Sequence, residues 1–274
     1  MRYSSNSDLP NITLVSGPCG AGKTSWIRQQ ALAAPGIYLS LGAESAVDMA
    51  YLTAEVPDLT VLPTSVLSAS VQSASNLSKL SELLEHPPAE AVYIELSPQL
   101  DLNSLPLDLV TACRRIAVLP PGLRQTRWHD WTDLVVTGAE ITGAETSLLS
   151  SPPLWNRVLT GQVFDLSSLN TLWYELTQGA YGTVRRAKGI FDVADGRALY
   201  WTFVAGQPET AYLELNLPRW LQGRPERFSG LEVVGQGLDQ AAVAQTLQDC
   251  CLSEQAIFYY QQQVKDLLAQ GEAA

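Results

Sequence analysis

The residues best suited to chemistry lie near the start of this sequence, in the stretch "SGPCGAGKTS". From Gly17 to Thr24 it fits the pattern G-x-x-x-x-G-K-[ST], and it stands between an apolar run and a helical pattern, as phosphate loops do. Glycines at this spacing let backbone N–H groups turn toward phosphate oxygens, and the helix that follows adds the positive end of its dipole. The lysine reaches the β- and γ-phosphates, and the threonine hydroxyl binds Mg²⁺. The predicted nucleotide-binding residues of this stretch are Gly17, Cys19, Gly20, Ala21, Gly22, Lys23, Thr24 and Ser25.

Hydrolysis of a bound nucleotide needs more than this loop. A carboxylate at the end of a neighbouring strand has to support the Mg²⁺, and another group has to orient the attacking water. Glu95 ends the apolar run "AVYIEL", so it is the predicted catalytic strand-end carboxylate and, with Thr24, a predicted metal ligand. Glu44 and Asp48 follow the second apolar run and are the other catalytic candidates. The competing interpretation is that these acids occupy a solvated strand end, a polar loop or a first helical turn.

Apolar runs alternate with helical patterns along the first half of the chain, which has to position these residues. This alternation is typical of a mostly parallel sheet with helices on both faces, so residues 1–150 are predicted to form an α/β domain of the P-loop NTPase type. Strands are predicted at 11–16, 37–41, 59–64, 91–96 and 133–138 and in "RIAVLPP", and a helix is predicted at 22–34.

The pattern changes near residues 142–155, a stretch of small residues and prolines that we interpret as a linker. Beyond it, helical patterns are mixed with strand patterns, including "GTVRRAKGIFDVAD" and "RALYWTFVAG". The Asp195-Gly196 pair between these two strands predicts a hairpin. Residues 165–274 are therefore predicted to form a smaller α+β domain.

Composition limits the classes of partner and compartment. The net charge of −11 repels nucleic-acid backbones, so we expect no nucleic-acid partner. No apolar stretch is long enough to cross a membrane, and the polar start "MRYSSNSDLPN" lacks the apolar core of a secretory signal. The four cysteines form no C-x-x-C pair, which fits a reducing compartment. The expected location is the cytoplasm.

Several stretches resemble a known family. "SGPCGAGKTS" and "VYIELS" are similar to the CobW/HypB/UreG family of P-loop GTPases of the SIMIBI class. "YGTVRRAKGIFDVADG" and "LEVVGQGLDQAAVAQTLQDC" resemble the C-terminal domain of its CobW branch, so the likeness covers nearly the whole chain. The resemblance implies a P-loop domain followed by a CobW C-terminal-like domain, Mg²⁺ with a bound nucleotide, and nucleotide-dependent metal delivery. It also implies a client protein, held through the C-terminal domain.

Carried over residue by residue, the resemblance breaks at three places. Where the family has a Cys-x-Cys-Cys metal motif, residues 60–71 contain no cysteine. The guanine-reading Asn-Lys-x-Asp motif is replaced at residues 137–140 by "TGAE", which leaves Glu140 in the place of the base-binding aspartate. The cofactor is therefore predicted to be Mg²⁺ with GTP or ATP. Finally, Pro98 replaces a glycine, and proline has no N–H to offer a γ-phosphate.

Two classes of function stay open on the sequence. One is a nucleotide-binding chaperone or assembly factor for a client protein, with weak NTP hydrolysis. The other is a catalytically inactive scaffold that binds nucleotide for stability or not at all. An active GTP-dependent metal chaperone would need a non-standard metal site, because the cysteines are scattered over positions 19, 113, 250 and 251. We therefore expect no stoichiometric zinc or cobalt in the purified protein.

Overall fold

The computed structural model describes residues 11–42, 45–62, 89–140, 153–207 and 212–271. The chain divides into two compact units, Met1–Ser151 and Pro152–Ala274. No helix of the described ranges is both long enough and apolar enough to cross a membrane.

The first unit is built on a six-stranded sheet whose described pairings are all parallel, in the order β3-β2-β4-β1-β5-β6. This confirms the predicted mostly parallel sheet. The apolar runs are short and nearly continuous because such strands are buried on both faces. The strands are β1 Ile12–Ser16, β2 Gly36–Leu41, β3 Thr60–Val61, β4 Ala91–Leu96, β5 Arg114–Leu119 and β6 Leu134–Thr137.

Helices flank this sheet, and successive strand residues address opposite faces of it. On one face, Ile94 of β4 packs in a cluster that includes Leu109 and Trp128. On the other face, Glu95 of the same strand meets Thr24 at the start of the first helix. The helices of the described part are α1 Lys23–Ala33, α2 Ala46–Glu55, α3 Leu107–Ala112 and α4 Arg127–Trp131, with a 3₁₀ turn at Leu102–Ser104.

The second unit has a sheet in the order β11-β10-β9-β12-β7, in which these neighbours are antiparallel, and β8 pairs with β9 in parallel. The predicted α+β domain and the hairpin between β9 and β10 are confirmed. The elements are β7 Leu154–Val158, β8 Val163–Phe164, α5 Leu166–Thr177, β9 Thr183–Val193, β10 Ala198–Val204, β11 Leu213–Glu214, β12 Gly230–Gln236, α6 Gln240–Asp249 and α7 Glu254–Gly271.

Two boundaries differ from the predicted ones. The predicted second domain, beginning at residue 165, leaves out β7 and β8, although β7 pairs with β12 and β8 pairs with β9. The predicted linker ended at Trp155, which lies within β7. Most of that predicted linker, residues 142–152, lies outside the described residues. The prolines before β7 hid this strand in the sequence, because proline usually indicates a loop but is also tolerated next to an edge strand.

A carboxylate and a guanidinium are buried together at the end of β9. Asp192 is 2% exposed, and Nε of Arg227 donates to its Oδ1 over 2.7 Å. The other oxygen, Oδ2, is buried and has no hydrogen-bond partner within the described ranges. Burial raises the pKa of Asp192 from 3.8 to about 6, and the positive charge of Arg227 only partly opposes this rise.

We expect this carboxyl to lower the stability of the protein as the pH rises from about 4 to about 6. Its pKa is higher in the folded chain than in the unfolded chain, so the folded chain holds an extra proton in this window and protonation favours folding. A shift of two pH units corresponds to about 3 kcal/mol. The test is the free energy of unfolding in urea from pH 4 to 7, for the wild type and for Asp192→Asn, which cannot titrate there. Parallel pH profiles for the two proteins would contradict the assignment.

Candidate functional site

The loop between β1 and α1 has the backbone of a phosphate cradle. Gly17, Gly20 and Gly22 have φ values of 140°, 81° and 95°, a region that side chains with a Cβ rarely adopt. A Cβ on Gly17 would also lie 2.2 Å from the carbonyl oxygen of Val118 in β5. The glycine pattern read from the sequence is therefore required by the backbone itself.

The N-terminus of α1 is not closed by a side chain. Gly22 is the N-cap residue in the left-handed conformation, and it makes no side-chain capping bond. The first N–H groups of a helix have no partner within the helix, and they carry the positive end of its dipole. This end of α1 therefore suits an anion such as a phosphate.

Lys23 and Thr24 open α1, and both are buried. Nζ of Lys23 donates to the carbonyl oxygens of Gly17 and Pro18, each at 3.2 Å, so the side chain folds back over the loop. The same Nζ lies 3.9 Å from Oε1 of Glu95. The lysine amine thus sits at the mouth of the cradle, with its charge balanced by a carboxylate.

Sheet pairing brings Glu95 to this point. In the parallel register, Glu95 of β4 lies beside Val15 at the end of β1. The Thr24 hydroxyl lies 3.3 Å from Oε1 of Glu95 and 3.1 Å from Oε2, and the glutamate is 8% exposed. The structure therefore brings together Lys23, Thr24 and Glu95, as expected for a Mg²⁺-nucleotide site, although their roles stay predictions.

Oxygen donors of this kind fit Mg²⁺. A threonine hydroxyl and a carboxylate are hard ligands, and Mg²⁺ in nucleotide sites uses one or two such groups together with phosphate oxygens. No group of three or more His, Cys, Asp or Glu in the described ranges has the arrangement of a metal site. Most of residues 60–71, the stretch in which the resemblance leads us to look for a cysteine motif, lie outside the described ranges.

Tyr38 belongs to this cluster and was not predicted from the sequence. It lies in β2, its side chain is fully buried, and its hydroxyl donates to Oε2 of Glu95 over 3.2 Å. Burial raises the pKa of Tyr38 well above 10, and the negative charges of Glu95 and Asp48 raise it further. In sequence, this tyrosine looks like another core residue of an apolar strand.

Of the other two catalytic candidates, Glu44 and Asp48, only Asp48 lies within the described residues. Glu44 lies outside the described residues. Asp48 lies in the first turn of α2, is 2% exposed, and its Oδ2 accepts a hydrogen bond of 2.6 Å from Ser45. The backbone N–H of Asp48 in turn donates to the Ser45 hydroxyl, so this pair also caps α2. Its catalytic role stays a prediction.

The segment after β6 touches the phosphate loop. The Ala139 N–H donates to the carbonyl oxygen of Ala21 over 3.0 Å, and a Cβ on Gly138 would lie 2.2 Å from that oxygen. Glu140 follows directly and is exposed. "TGAE" therefore lies beside the cradle, where a nucleotide base could be contacted, and base contact by Glu140 stays a prediction.

The remaining loop residues differ in exposure. Ala21 is fully buried, Cys19 is half-buried, and Ser25 is exposed. On the far side of Glu95, Pro98 offers its carbonyl oxygen to Nη2 of Arg127 over 2.6 Å. Because Pro98 has no N–H, this residue presents an acceptor and no backbone donor.

Comparisons with known proteins bear on the second unit. A family model described as the cobalamin synthesis protein CobW C-terminal domain matches residues 158–251. No curated protein matches the sequence of the chain.

Two solved structures are similar to the chain at low TM-scores. The Zn(II)-bound YjiA GTPase from E. coli is 13% identical, with a TM-score of 0.29, over 87% of this chain and 98% of that chain. A Zn(II)-bound triple mutant of YjiA GTPase is 15% identical, with a TM-score of 0.28, over 89% and 99%. Likenesses this loose support no conclusion about the activity or the metal of this chain.

The range of the family match agrees with the division of the chain into a parallel-sheet unit and an antiparallel-sheet unit. The matched range runs from the end of β7 past α6, which is most of the antiparallel sheet and two of its helices, α5 and α6. The parallel sheet that precedes it carries the phosphate loop between β1 and α1. Residues 158–251 therefore match the CobW C-terminal domain, and they follow a parallel sheet with a phosphate-loop sequence between β1 and α1.

Proposed function

We propose that this chain binds a Mg²⁺-nucleotide through residues 17–25 and uses it as a chaperone or assembly factor for a client protein. The observation that carries the proposal is the convergence of Lys23, Thr24 and Glu95 at the mouth of a glycine cradle. Three residues from two elements meet there in the buried arrangement that a charged phosphate and a hard cation need.

Each residue has a distinct task in this proposal. Lys23 leaves the carbonyl oxygens of Gly17 and Pro18, which it contacts at 3.2 Å, and turns its amine to the phosphates. Thr24 and Glu95 hold Mg²⁺, which neutralises phosphate charge when it is bound. The N–H groups of the loop and of the first turn of α1 bind the phosphate oxygens. The Ala139 segment closes the side of the loop.

We infer that hydrolysis is weak. Glu95, Glu44 and Asp48 are the proposed groups that assist the water, but Asp48 is buried and shares its carboxylate with Ser45. Pro98 itself has no N–H to offer a terminal phosphate. A cycle driven mainly by binding and release of nucleotide suits these features better than rapid turnover.

We place the client on the C-terminal domain. What supports this is the match of residues 158–251 to the CobW C-terminal domain and the exposed apolar side chains of α7. Phe258 is 71% exposed and Leu267 is 67% exposed, and such side chains are often covered by a partner protein. The cytoplasm, where nucleotide is abundant and thiols stay reduced, is the compartment that we propose.

A catalytically inactive scaffold is the second candidate, and Pro98 favours it. The deciding test measures phosphate release with ATP and with GTP, each with Mg²⁺, alongside nucleotide binding by calorimetry. Binding with slow release supports the first proposal. Binding without any phosphate release, or no binding of either nucleotide, would overturn it in favour of the scaffold.

We expect ATP and GTP to bind with affinities within about tenfold of each other. A guanine-reading aspartate is what rejects adenine, and a buried polar site of that kind discriminates strongly. Here "TGAE" offers Glu140 without the preceding Asn and Lys, and Glu140 is exposed. Competition between the two nucleotides, each with Mg²⁺, measures the ratio. A preference for GTP of a hundredfold or more would show that the base site lies elsewhere.

A further inference from the structure

One hydroxyl in the buried cluster has no part in the tasks assigned so far. Tyr38 lies inside β2, and its side chain has no exposed surface. Burying a hydroxyl is costly unless it makes a hydrogen bond, and the Tyr38 hydroxyl bonds to Oε2 of Glu95. Phenylalanine would fill the same volume without this cost. The presence of tyrosine is therefore best explained by the hydrogen bond from its hydroxyl to the Glu95 carboxylate.

Within the described residues, side-chain donors reach Glu95 both from α1 and from β2. Thr24 and Lys23 approach from α1, where the hydroxyl lies 3.1 Å from Oε2 and the amine lies 3.9 Å from Oε1. Tyr38 approaches from β2, which is paired with β4 on the side away from β1. The carboxylate is therefore held between a helix and a strand.

Nucleotide binding is expected to affect the α1 donors and the β2 donor differently. In the proposed function, Lys23 turns to the phosphates and Thr24 turns to the cation. Neither task is open to Tyr38, because it is enclosed in β2 and its hydroxyl is already directed at Glu95. Its bond to Oε2 can thus persist while the α1 side chains change partners.

The Tyr38 hydroxyl also keeps its proton under ordinary conditions. The ordinary pKa of a tyrosine hydroxyl, about 10, already lies well above neutral pH. A neutral tyrosine donates its proton to a carboxylate, whereas a tyrosinate would repel it. Tyr38 is therefore a fixed donor at neutral pH.

We propose that Tyr38 is a positioning residue, which holds the Glu95 carboxylate in the orientation that Mg²⁺ requires when nucleotide is bound. This inference rests on the proposed function. It assigns to Tyr38 a contribution to the affinity for the cation, and none to the affinity for the nucleotide without the cation.

The test is Tyr38→Phe, which removes the hydroxyl and keeps the ring. Nucleotide affinity is measured in EDTA with a fluorescent nucleotide, and Mg²⁺ is then titrated into the saturated complex. We expect an unchanged affinity in EDTA and a Mg²⁺ midpoint raised about ten- to a hundredfold, the effect of about one hydrogen bond to a charged group. A loss of structure alone would move both quantities together.

Tyr93→Phe is a matched control. Tyr93 lies opposite Tyr38 in the pairing of β2 with β4, is also buried, and donates its hydroxyl to the carbonyl oxygen of Ala34 over 2.9 Å. The Tyr93→Phe variant should leave the Mg²⁺ midpoint unchanged. A second variant, Glu95→Gln, should raise the midpoint by itself, and adding Tyr38→Phe to it should cause no further rise.

The outcomes separate the two claims. The role of Tyr38 alone would be overturned if the Mg²⁺ midpoint were the same in Tyr38→Phe as in the wild type. It would also be overturned if Tyr38→Phe raised the midpoint further in the Glu95→Gln background. A wild type that binds no nucleotide would overturn the proposed function, and this inference with it. A midpoint raised by Tyr38→Phe and not by Tyr93→Phe supports both.

Discussion

Lys23→Ala should lower the affinity for Mg²⁺-nucleotide by a hundredfold or more. The Nζ of Lys23 is the positive group at the mouth of the glycine cradle, where it now contacts two loop carbonyl oxygens. Hydrogen bonds to charged groups contribute about 1.5–3 kcal/mol each, so losing two such bonds from the lysine amine to phosphate oxygens corresponds to roughly 3–6 kcal/mol. Calorimetric titration with ATP and GTP measures the change.

Lys265→Ala is the matched control for this experiment. Lys265 lies on α7 and is exposed, so its removal changes the net charge equally without touching the loop. The control should bind like the wild type. Equal nucleotide affinity in Lys23→Ala and the wild type would remove the phosphate loop from the proposed function.

Gly17→Ala should both destabilise the first unit and abolish most nucleotide binding. The φ of 140° strains any residue with a Cβ, and such strain costs about 1–3 kcal/mol. The added Cβ would also overlap the backbone oxygen of Val118 at 2.2 Å, so the loop or β5 must move. A loss of about 3 kcal/mol or more is expected for the two effects together. Thermal unfolding and nucleotide titration on the same preparation check it.

Gly122→Ala separates the strain from the collision. Gly122 has a φ of 85°, and a Cβ there would meet nothing within 4 Å. This control should lose only the strain part of the stability and should keep its nucleotide affinity. If Gly17→Ala had the same unfolding temperature and the same nucleotide affinity as Gly122→Ala, the cradle would be shown to tolerate a side chain.

The phosphate loop could be predicted from sequence because all its parts are local. The glycines, Lys23 and Thr24 stand at fixed spacing, and the backbone requires the glycines for reasons that any such loop shares. Glu95 was also predictable, since a carboxylate that ends a buried strand has few purposes in a core. The register that sets it beside Val15 appears only in the folded sheet.

Tyr38 and the first strands of the second unit could not be predicted in the same way. Tyr38 meets Glu95 across 57 residues, and tyrosine is common in apolar strands, so nothing local marks it. β7 and β8 were hidden because one follows two prolines and the other has only two residues. Their pairing with β12 and β9 gives them strand structure, which is a tertiary effect.

The position of β1 inside its sheet has a consequence for the order of folding. β1 is hydrogen-bonded to β4 on one side and β5 on the other, and Ser16 bonds to Ile116, 100 residues further along the chain. β9 and β10, by contrast, are neighbours in sequence and close as a hairpin. Pairings that close long chain loops form slowly. The phosphate loop is thus synthesised early, yet it gains its supports only after β5 has been synthesised, and until then the backbone N–H and C=O groups of β1 lack their strand partners.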